Sequence, residues 1–594
     1  MKRRDLIAGA AVLPLASPAP AQERTRRRVL PGEPGWPSAA EWQRLSDEVG
    51  GQLLQPRSPL EACRAAPDGE ACARFFREMK NPYAIGDSAA LTQTSGWVDA
   101  WTSQPSAYAV AARHAGDVAA AVDFARRHRL RLVVKGGGHS YQGTSNAAGS
   151  LLVWTRPMNR VELHDGFVGQ GCPAAPQPAI SLGAGTVWLH AYGAAAKAGR
   201  YVQGGGCATV GVAGLIQSGG FGTFSKQFGM AAAGLLEAEV VTADGAVRVV
   251  NACREPDLFW ALKGGGGGSF GVVTRITLRT HPLPETFGGL FATVRATSDE
   301  AYRRLVARFV AFYRERLFNP TWGEQATFLP SNAIDIAMVF QGIDEAAARA
   351  TWQPFFDAVA AEPASYRMDS PPLFAAVPAR HFWDAAWMKA NARAFVLDDD
   401  RPGAPGDNIF WRGNLGETGW YLHGYESSWL PASLLEPAGQ ARLVEALFAG
   451  TRHWRIGLHF NKGLAGGPAI NQAEARDTAT NPAVADAFAL AISAASGPPA
   501  FAGIRGHEPD LARAREEARR VTAVIGEMRR LSPAPASYLS EASWFGDDWR
   551  EAYWGGNYPR LRAVKDRVDP DGLFFVHHGV GSEDWSPDGL TRSR

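Results

Sequence analysis

Three features are missing from this 594-residue sequence, and each absence excludes a class of protein. A charge excess is missing, because 61 Lys and Arg residues offset 59 Asp and Glu residues to leave a formal net charge of +2. A nearly neutral chain argues against nucleic acid or an anionic membrane as the main partner. Outside the N-terminus no run reaches the ~18 apolar residues of a membrane span, so we predict a soluble mature protein without a membrane anchor. The motif G-x-x-x-x-G-K-[ST] is also missing, which excludes a P-loop nucleotide site.

The N-terminal stretch MKRRDLIAGAAVLPLASPAPAQ predicts a signal peptide over residues 1–21. A basic triplet precedes a short apolar segment, and the string APA at 19–21 fits the small-residue rule for cleavage. The Arg3-Arg4 pair favours the twin-arginine route, which exports proteins already folded around a cofactor. An ordinary secretory signal is the alternative. Either route predicts a periplasmic or secreted protein.

Cysteine is scarce, with five residues in the whole chain. No two of them stand at the spacing of a zinc site, so we predict no metal centre. Cys63 and Cys72 are nine positions apart in an irregular stretch and predict a short disulfide loop. Cys172 and Cys253 form either a second bridge or two buried thiols. The odd count leaves at least one cysteine unpaired in an exported protein. Cys207 has the most unusual sequence context of the five, because it directly follows three glycines.

Hydrophobic periodicity predicts an α+β fold with two main domains. The segment AGDVAAAVDFARRHRL has an apolar stripe at helical spacing, and RLVVKGG predicts a short buried strand that enters a glycine turn. Strands and helices are intermixed from about residue 104 to 284. After 285 the composition changes to long Ala- and Arg-rich helices that flank strands, which predicts an antiparallel sheet backed by helices.

Three glycine clusters, at 136–138, 204–206 and 264–268, indicate close contact between backbone and ligand. Backbone N–H groups in such turns form anion-binding nests, so the clusters favour a large phosphate-bearing cofactor. The string GGGSFG at 266–271 matches G-x-G-x-x-G. A strand pattern follows it where the dinucleotide fingerprint requires a helix, so we reject a Rossmann fold.

Two nucleophilic side chains stand at the ends of glycine runs. His139 ends the run in VVKGGGHSYQG, and Cys207 ends the run in YVQGGGCATVGV. An imidazole and a thiol are both able to form a covalent bond with a ligand. The alternative is that the two residues are a buried thiol and a hydrogen-bonded core histidine. This alternative is less favoured, because each residue ends a run of three glycines, and we call these two runs the glycine arms.

These motifs resemble the FAD-linked oxidases of the berberine bridge enzyme type, in the vanillyl-alcohol oxidase/PCMH superfamily. The resemblance is carried by GGGHSYQG, GGGCATVGVAGLIQSGGFG, DLFWALKGGGGGSFGVV and the tail WGGNYPRLRAVKDRVDPDGLFFVHHGVGSEDW. The stretches WPSAAEWQRLSDEVGGQLLQP and HFNKGLAGG are more similar to the fungal isoamyl alcohol oxidase-like branch.

The resemblance implies an α+β fold in which a PCMH-type FAD-binding domain of two α+β subdomains joins a substrate domain. Its implied division of the chain is an N-terminal extension at 22–103, the FAD-binding domain at 104–284, the substrate domain at 285–534, and a C-terminal segment at 535–594 that returns to the FAD domain.

In the family that the sequence resembles, a His and a Cys hold the flavin covalently. By position, the resemblance implies that His139 attaches to the 8α-methyl group of FAD and Cys207 to C6. A small residue at Val210 resembles the oxidases, in which this position admits oxygen. The other implied FAD-binding residues are Lys135, Gly136, Gly137, Gly138, Ser140, Gly206, Thr209, Gly211, Gly214, Ser218, Gly219, Gly220, Gly222, Gly271, Val273 and Asn557.

Oxidation of a CH–OH group requires a base for the substrate proton while hydride moves to flavin N5. Tyr141 matches an active-site tyrosine of the family, and Tyr538 is a second candidate. A phenol has a reference pKa of ~10, so a nearby cation such as Lys462 or Arg476 is needed to lower it.

Other groups compete for the role of base. They are His459, Asp477 and Glu541. His577 and His578 either face the flavin from the C-terminal segment or cap an exposed turn. Ser540 and Ser543 stand where the fungal branch is expected to have Asn and Asp, which weakens any transfer of roles from that segment.

The predicted function is a secreted FAD oxidase that takes hydride from an alcohol or sugar and reduces O2 to H2O2. Its partners are a small-molecule substrate and O2, and a monomer is expected. Three alternatives stay open: a flavin dehydrogenase with another acceptor, an amine- or alkaloid-type oxidase, and a non-catalytic flavin-binding protein.

Overall fold

The computed structural model describes residues 26–593, so the predicted signal peptide lies outside the described residues. Its main architecture consists of three β-sheets with helices packed around them. This confirms the predicted α+β class. Within the described chain, none of the helices combines the length and apolar character that a membrane crossing requires.

The first sheet has four strands and is mainly parallel. In spatial order they are Leu53–Leu54, Tyr108–Ala111, Leu151–Trp154 and Leu132–Lys135. Helix Ala115–His128 begins at a capping box, in which the His114 ring accepts from the Asp117 N–H. Because the strand Leu132–Lys135 ends directly before Gly136, the first glycine cluster lies at the carboxyl end of this sheet.

The second sheet has six strands and packs beside the first. Its path is Val247–Asn251, Leu235–Val241, Val272–Pro282, Gln177–Gly183 and Val161–Phe167, with Arg200–Val202 added to Val272–Pro282. Helix Ala115–His128 contacts strands of both sheets. The helices of this region are Trp188–Lys197, Val212–Gln217, Ser225–Phe228 and Pro256–Leu262.

The third, large sheet has ten strands. Its path is Tyr366–Met368, Thr286–Ala296, Ala333–Gln341, Trp322–Leu329, Ile456–His459, Ala487–Gly497, Tyr421–Pro431, Gly96–Trp97 and Trp101–Thr102, with Leu373–Pro378 added to Thr286–Ala296. The helices Asp299–Phe312, Glu345–Ala360, Pro437–Thr451 and Leu511–Arg529 accompany it. Strand alternation gives the sheet two different faces. Ile336 and Met338 belong to the hydrophobic core on the helix side, whereas Ala337 and Val339 line a cavity.

The C-terminal segment contacts the first two sheets. Helix Tyr558–Val568 ends at Asp569, and Phe574 bridges to Leu132 in parallel. The Lys565 Nζ donates to the carbonyl of Ser269 at 2.6 Å and to that of Phe574 at 2.8 Å. The segment thereby joins the glycine-rich loop at 264–268 to the first sheet. The domain boundaries drawn from the sequence stay predictions.

The remaining elements are short. The strands Arg26–Arg27 and Thr591–Arg592 pair, as do Val396–Asp398 and Ile409–Trp411. The remaining α-helices are Ala39–Glu48, Leu60–Ala65, Glu70–Glu78, Pro82–Gly86, Ala385–Asn391, Ala469–Arg476, Ala483–Asp486 and Trp549–Trp554. The structure contains the predicted Cys63–Cys72 disulfide and a second disulfide, Cys172–Cys253. Cys207 is left as a free thiol.

Candidate active site

One continuous cavity of about 1030 Å³ lies between the glycine-rich loops and the open face of the large sheet. This volume is slightly above the roughly 300–1,000 Å³ of ordinary small-molecule sites. One side, the glycine wall, consists of residues 136–138, 205–207 and 266–268. A second part of the lining, the side-chain wall, includes Glu324, Glu417, Tyr425, Lys462 and Glu541.

The two glycine arms meet backbone to backbone. A Cβ placed on Gly137 would lie 2.8 Å from the Gly211 nitrogen and 2.9 Å from the Thr209 carbonyl oxygen, so any side chain is excluded there. His139 Nε2 and Thr209 Oγ1 are 3.0 Å apart, which ties the histidine arm to the loop that carries Cys207. Both nucleophiles line the same cavity.

The protonation of the two nucleophiles differs. Burial, opposed by the hydrogen bond with Thr209, lowers the pKa of His139 to about 4, so its imidazole is neutral and nucleophilic. Burial raises the pKa of the Cys207 thiol well above its ordinary value, and Glu417 and Glu324 add to this effect. The Asn414 Nδ2 donates to Cys207 Sγ at 3.3 Å.

Unpaired polar atoms and bare backbone at the glycine wall fit a flavin nucleotide. Gln217 Oε1 and Ser269 Oγ are buried and make no hydrogen bond within residues 26–593. Both residues line the cavity. A Cβ on Gly214 would meet nothing within 4 Å, so the backbone there is open to a ligand. Phosphate and ring substituents of FAD would satisfy such groups, because bare backbone amides bind anions.

Comparisons with known proteins agree with this geometry. Residues 106–251 match the FAD binding domain model, and residues 523–581 match the model for berberine and berberine like proteins. The chain is an FAD-dependent oxidoreductase, similar to the VAO-type flavoprotein oxidases and to the berberine bridge enzyme-like proteins. This confirms the resemblance that the motifs carry, FAD as the cofactor and oxidoreductase as the class of enzyme.

Similar proteins cover most of the chain of this oxidoreductase. The VAO-type flavoprotein oxidase VAO615 of Thermothelomyces thermophilus is 29% identical over 605 residues, which cover 95% of this chain and 94% of the relative. The crystal structure of the VAO-type flavoprotein MtVAO615 from Myceliophthora thermophila C1 has a TM-score of 0.75 at 27% identity and covers 95% of this chain and 100% of its own. A glucooligosaccharide oxidase from Acremonium strictum, which carries 6-S-cysteinyl, 8α-N1-histidyl FAD, has a TM-score of 0.61 at 19% identity over 88% of this chain and 99% of its own, a likeness of fold alone.

Most of the FAD-binding residues predicted for the oxidoreductase line the cavity. Besides the two nucleophiles, these are Gly136, Gly137, Gly138, Ser140, Gly206, Val210, Gly211, Gly214, Ser218, Gly271 and Val273. Thr209 contacts His139 from behind the wall. Gly219, Gly220 and Gly222 lie away from the lining and serve close packing, since a Cβ on Gly222 would lie 2.1 Å from the Gly204 carbonyl oxygen.

Two predicted cofactor residues have other partners. The Lys135 Nζ donates to the carbonyls of Ile85, Ser88 and Leu91, so the side chain fastens the N-terminal region to the first sheet and does not reach the cavity. Burial lowers the pKa of Lys135 to about 7. Asn557 Nδ2 donates to the carbonyl of Thr480 at 2.9 Å and supports a loop beside the site.

The three predicted catalytic residues all line the cavity. The Tyr141 ring lies 5.0 Å from that of Tyr425, and the Tyr538 ring meets Phe221 edge-on at 5.0 Å. Burial raises the pKa of both Tyr141 and Tyr538, so the expected lowering by a cation is not found. Lys462 instead lies 2.5 Å from both carboxylate oxygens of Glu541.

The other candidates for acid–base chemistry divide into two groups. Arg476 pairs with Asp486 at 2.7 Å, and Asp477 pairs with Lys263 at 3.0 Å, and neither predicted residue lines the cavity. His459, His577 and His578 do line it. His577 stacks on Trp544 with 3.7 Å between ring centroids, and both histidines are partly buried in a turn that lines the cavity. Burial lowers the pKa of His459 and His577.

Sequence reasoning missed Glu324 and Glu417. In the strand Trp322–Leu329, Trp322 and Ala326 belong to the helix-side core, so simple alternation would place Glu324 there as well. The φ of Glu324 is +62°, a left-handed conformation that turns its side chain to the cavity instead. Glu417 is the last residue of the short 3-10 helix Arg412–Glu417, and no hydrophobic pattern there marks it. No sequence signal could have found either residue.

Proposed function

We propose that the protein is a secreted oxidase with bicovalently attached FAD that oxidises a CH–OH group of an alcohol or sugar. When bound, FAD supplies the hydride acceptor at N5 and passes the electrons to O2, which gives H2O2. The observation that carries the proposal is the meeting of two glycine arms that bring His139 and Cys207 to one cavity wall. The product of substrate oxidation is the corresponding carbonyl compound.

Three further observations support the proposal. The curated relative VAO615 is named a flavoprotein oxidase. The glucooligosaccharide oxidase of the same fold has both a cysteinyl and a histidyl link to its FAD. The two disulfides suit the oxidising compartment to which the predicted signal peptide would send the protein. Val210, small and at the cavity wall, is the proposed route for oxygen.

Each proposed catalytic residue has a distinct task. The Glu541 carboxylate accepts the substrate proton, and Lys462 orients it through two short contacts of 2.5 Å. Tyr141 and Tyr538 keep their phenolic protons, because burial raises the pKa of each. Their hydroxyl groups hydrogen-bond and position the substrate. Aromatic neighbours such as Tyr425 exclude water from the site.

The FAD contacts proposed here follow from the lining of the cavity. The glycine wall, Gly211 and Gly214 offer backbone amides, and Gln217 and Ser269 offer unpaired side-chain atoms. Lys135 and Asn557 act at a distance, by holding the loops that carry these groups.

One observation favours a second candidate, an amine oxidase. Glu324 and Glu417 line the cavity, and neither forms an ion pair with another residue of the described chain. A protonated amine in the substrate would pair with them, since a buried carboxylate without a cation is costly. A dehydrogenase with another acceptor differs from both candidates only in its reaction with O2.

The test is anaerobic mixing of the purified holoenzyme with a panel of alcohols, sugars and amines, followed by addition of air. Bleaching of the flavin absorbance by alcohols or sugars and H2O2 release in air support the first proposal. Bleaching by amines alone would transfer the assignment to the second candidate. Bleaching that air does not reverse would indicate a dehydrogenase, and no bleaching by any compound would favour a flavin-binding protein without catalysis.

A further inference from the structure

Cys207 lies among carboxylates, although reactive cysteines usually lie beside cations or helix N-termini. Burial is the main cause of its raised pKa, and Glu417 and Glu324 are the next. Lys462 opposes them, but its ammonium group is held by Glu541 at 2.5 Å. The thiol therefore keeps its proton at rest, and it becomes nucleophilic only if a neighbouring base removes that proton.

Glu324 and Glu417 are the bases available beside the thiol. Glu324 Oε1 is 3.8 Å from the position of a Cβ on Gly206, the residue directly before Cys207. Asn414 donates to Cys207 Sγ at 3.3 Å, and Glu417 lies three residues further on in the same short 3-10 helix, Arg412–Glu417, which also lines the cavity. A φ of +62° is strained for a glutamate, so the conformation that directs Glu324 to the cavity is maintained at the expense of stability.

The two carboxylates repel one another's charge. Burial raises the pKa of Glu417 to about 7, with Glu541 and Glu324 contributing in the same direction. Burial also raises the pKa of Glu324. Such a pair takes up one proton readily near neutral pH, as carboxylates that share a site do. Asn461, which is 3% exposed and lines the cavity, is 3.5 Å from Glu324 Oε1 and fixes its position.

We propose that Glu417, supported by Glu324, accepts the proton of the Cys207 thiol when this thiol attaches to C6 of FAD. The inference rests on the cysteinyl link in the proposed function. In the step, the S–H and C6–H bonds break and the S–C6 bond forms. The thiol proton goes to Glu417, the C6 proton goes to water, and two electrons enter FAD. O2 then takes up the two electrons and becomes H2O2, which restores oxidised FAD. Asn414 stabilises the developing thiolate by donating to it.

The histidyl link needs no such base. Burial lowers the pKa of His139 to about 4, so its ring is already neutral. The structure therefore predicts that loss of the two carboxylates affects attachment at Cys207 and leaves attachment at His139 intact. This difference gives every variant an internal control, because a protein that carries the histidyl link has folded around its flavin.

The experiment compares the holoenzyme with the variants Glu417→Gln, Glu324→Gln and the double variant, each purified at neutral pH. Proteolysis and mass spectrometry measure the flavin-adduct fraction on the His139 and Cys207 peptides. We expect at least a tenfold smaller fraction at Cys207 in the double variant and in Glu417→Gln, with His139 fully linked. Glu426→Gln, which removes a buried carboxylate bonded to Thr522 at 2.6 Å outside the cavity lining, is the matched control and should match the wild type.

Incubation of the Glu417→Gln holoenzyme in air at rising pH separates a chemical role from a structural one. Hydroxide then replaces the missing base, so the Cys207 adduct should form with time at high pH. Full attachment at Cys207 in the double variant at neutral pH would overturn the inference and leave the proposed function standing. A wild-type protein without any Cys207 adduct would refute the cysteinyl link itself, and the inference with it.

Discussion

The glycine wall presents backbone to the cavity, whereas the side-chain wall presents charged and aromatic groups. A Cβ on Gly137 would lie 2.8 Å from the Gly211 nitrogen, so the first wall allows no variation at that point. The second wall brings Glu324, Glu417 and the Lys462–Glu541 pair from four separate segments of the chain. The first wall is thus built to bind one fixed ligand, and the second to perform chemistry that can differ among relatives of the same fold.

The largest effect is expected at Gly137, where the glycine wall is predicted to tolerate no side chain. Substitution with Ala should separate the two arms, lower the free energy of unfolding by about 3 kcal/mol and abolish flavin retention, because a methyl group has no space there. Denaturant titration and flavin absorbance measure both effects. Gly526→Ala is the control, since a Cβ at this helical position meets nothing within 4 Å, and it should be neutral or stabilising by up to about 1 kcal/mol. Wild-type stability and full flavin content in Gly137→Ala would contradict the account of this wall.

The contrast between the walls also explains which features the sequence predicts. His139 and Cys207 each follow a contiguous glycine run, so local sequence alone predicts both as cofactor residues, and both line the cavity. Glu324 faces the cavity only because its φ of +62° breaks strand alternation, and Lys462 meets Glu541 across 79 positions of sequence. Lys135 shows the converse: the motif around it predicts a cofactor contact, whereas tertiary contacts direct its ammonium group to the carbonyls near residue 88.

A substitution on the side-chain wall should slow the reaction with substrate and leave the flavin content of the protein unchanged. Glu541→Gln is expected to slow anaerobic flavin reduction about 10²–10⁴-fold, the usual contribution of a general base, with unchanged flavin content. Rapid-mixing absorbance at several pH values gives the measurement. Glu445→Gln removes an exposed partner of Arg303 and should change neither rate nor stability by more than about 0.5 kcal/mol. Flavin loss in Glu541→Gln would contradict the assignment of cofactor binding to the glycine wall and of catalysis to the side-chain wall.

The buried carboxylate of Glu417 predicts a pH-dependent stability. Burial raises its pKa from 4.5 to about 7, so between these values the folded protein holds a proton that the unfolded chain releases, and stability falls as the pH rises through this window. Glu417→Gln should match the wild type below about pH 4.5 and exceed it by up to about 3 kcal/mol above pH 7. Denaturant titrations of flavin-free protein across this range test the sign. Equal stabilities at pH 8 would contradict it.

The smallest expected effect concerns the backbone at Glu324. Because a φ of +62° suits glycine, Glu324→Gly should be more stable than Glu324→Ala by about 1 kcal/mol. Both variants lack the carboxylate, so their comparison isolates the conformation. Unfolding midpoints in denaturant provide the measurement, and a less stable glycine variant would show that the strand does not hold this residue under strain.

The central claim is that Cys207 in the glycine wall and His139 directly beside it hold one flavin. Its most direct test is flavin fluorescence in denaturing gels for the wild type, His139→Ala, Cys207→Ala and the double variant. The account predicts a flavin-bearing band for the wild type and for each single variant, and none for the double variant. A double variant that still carries flavin through denaturation, or a wild type that carries none, would contradict it.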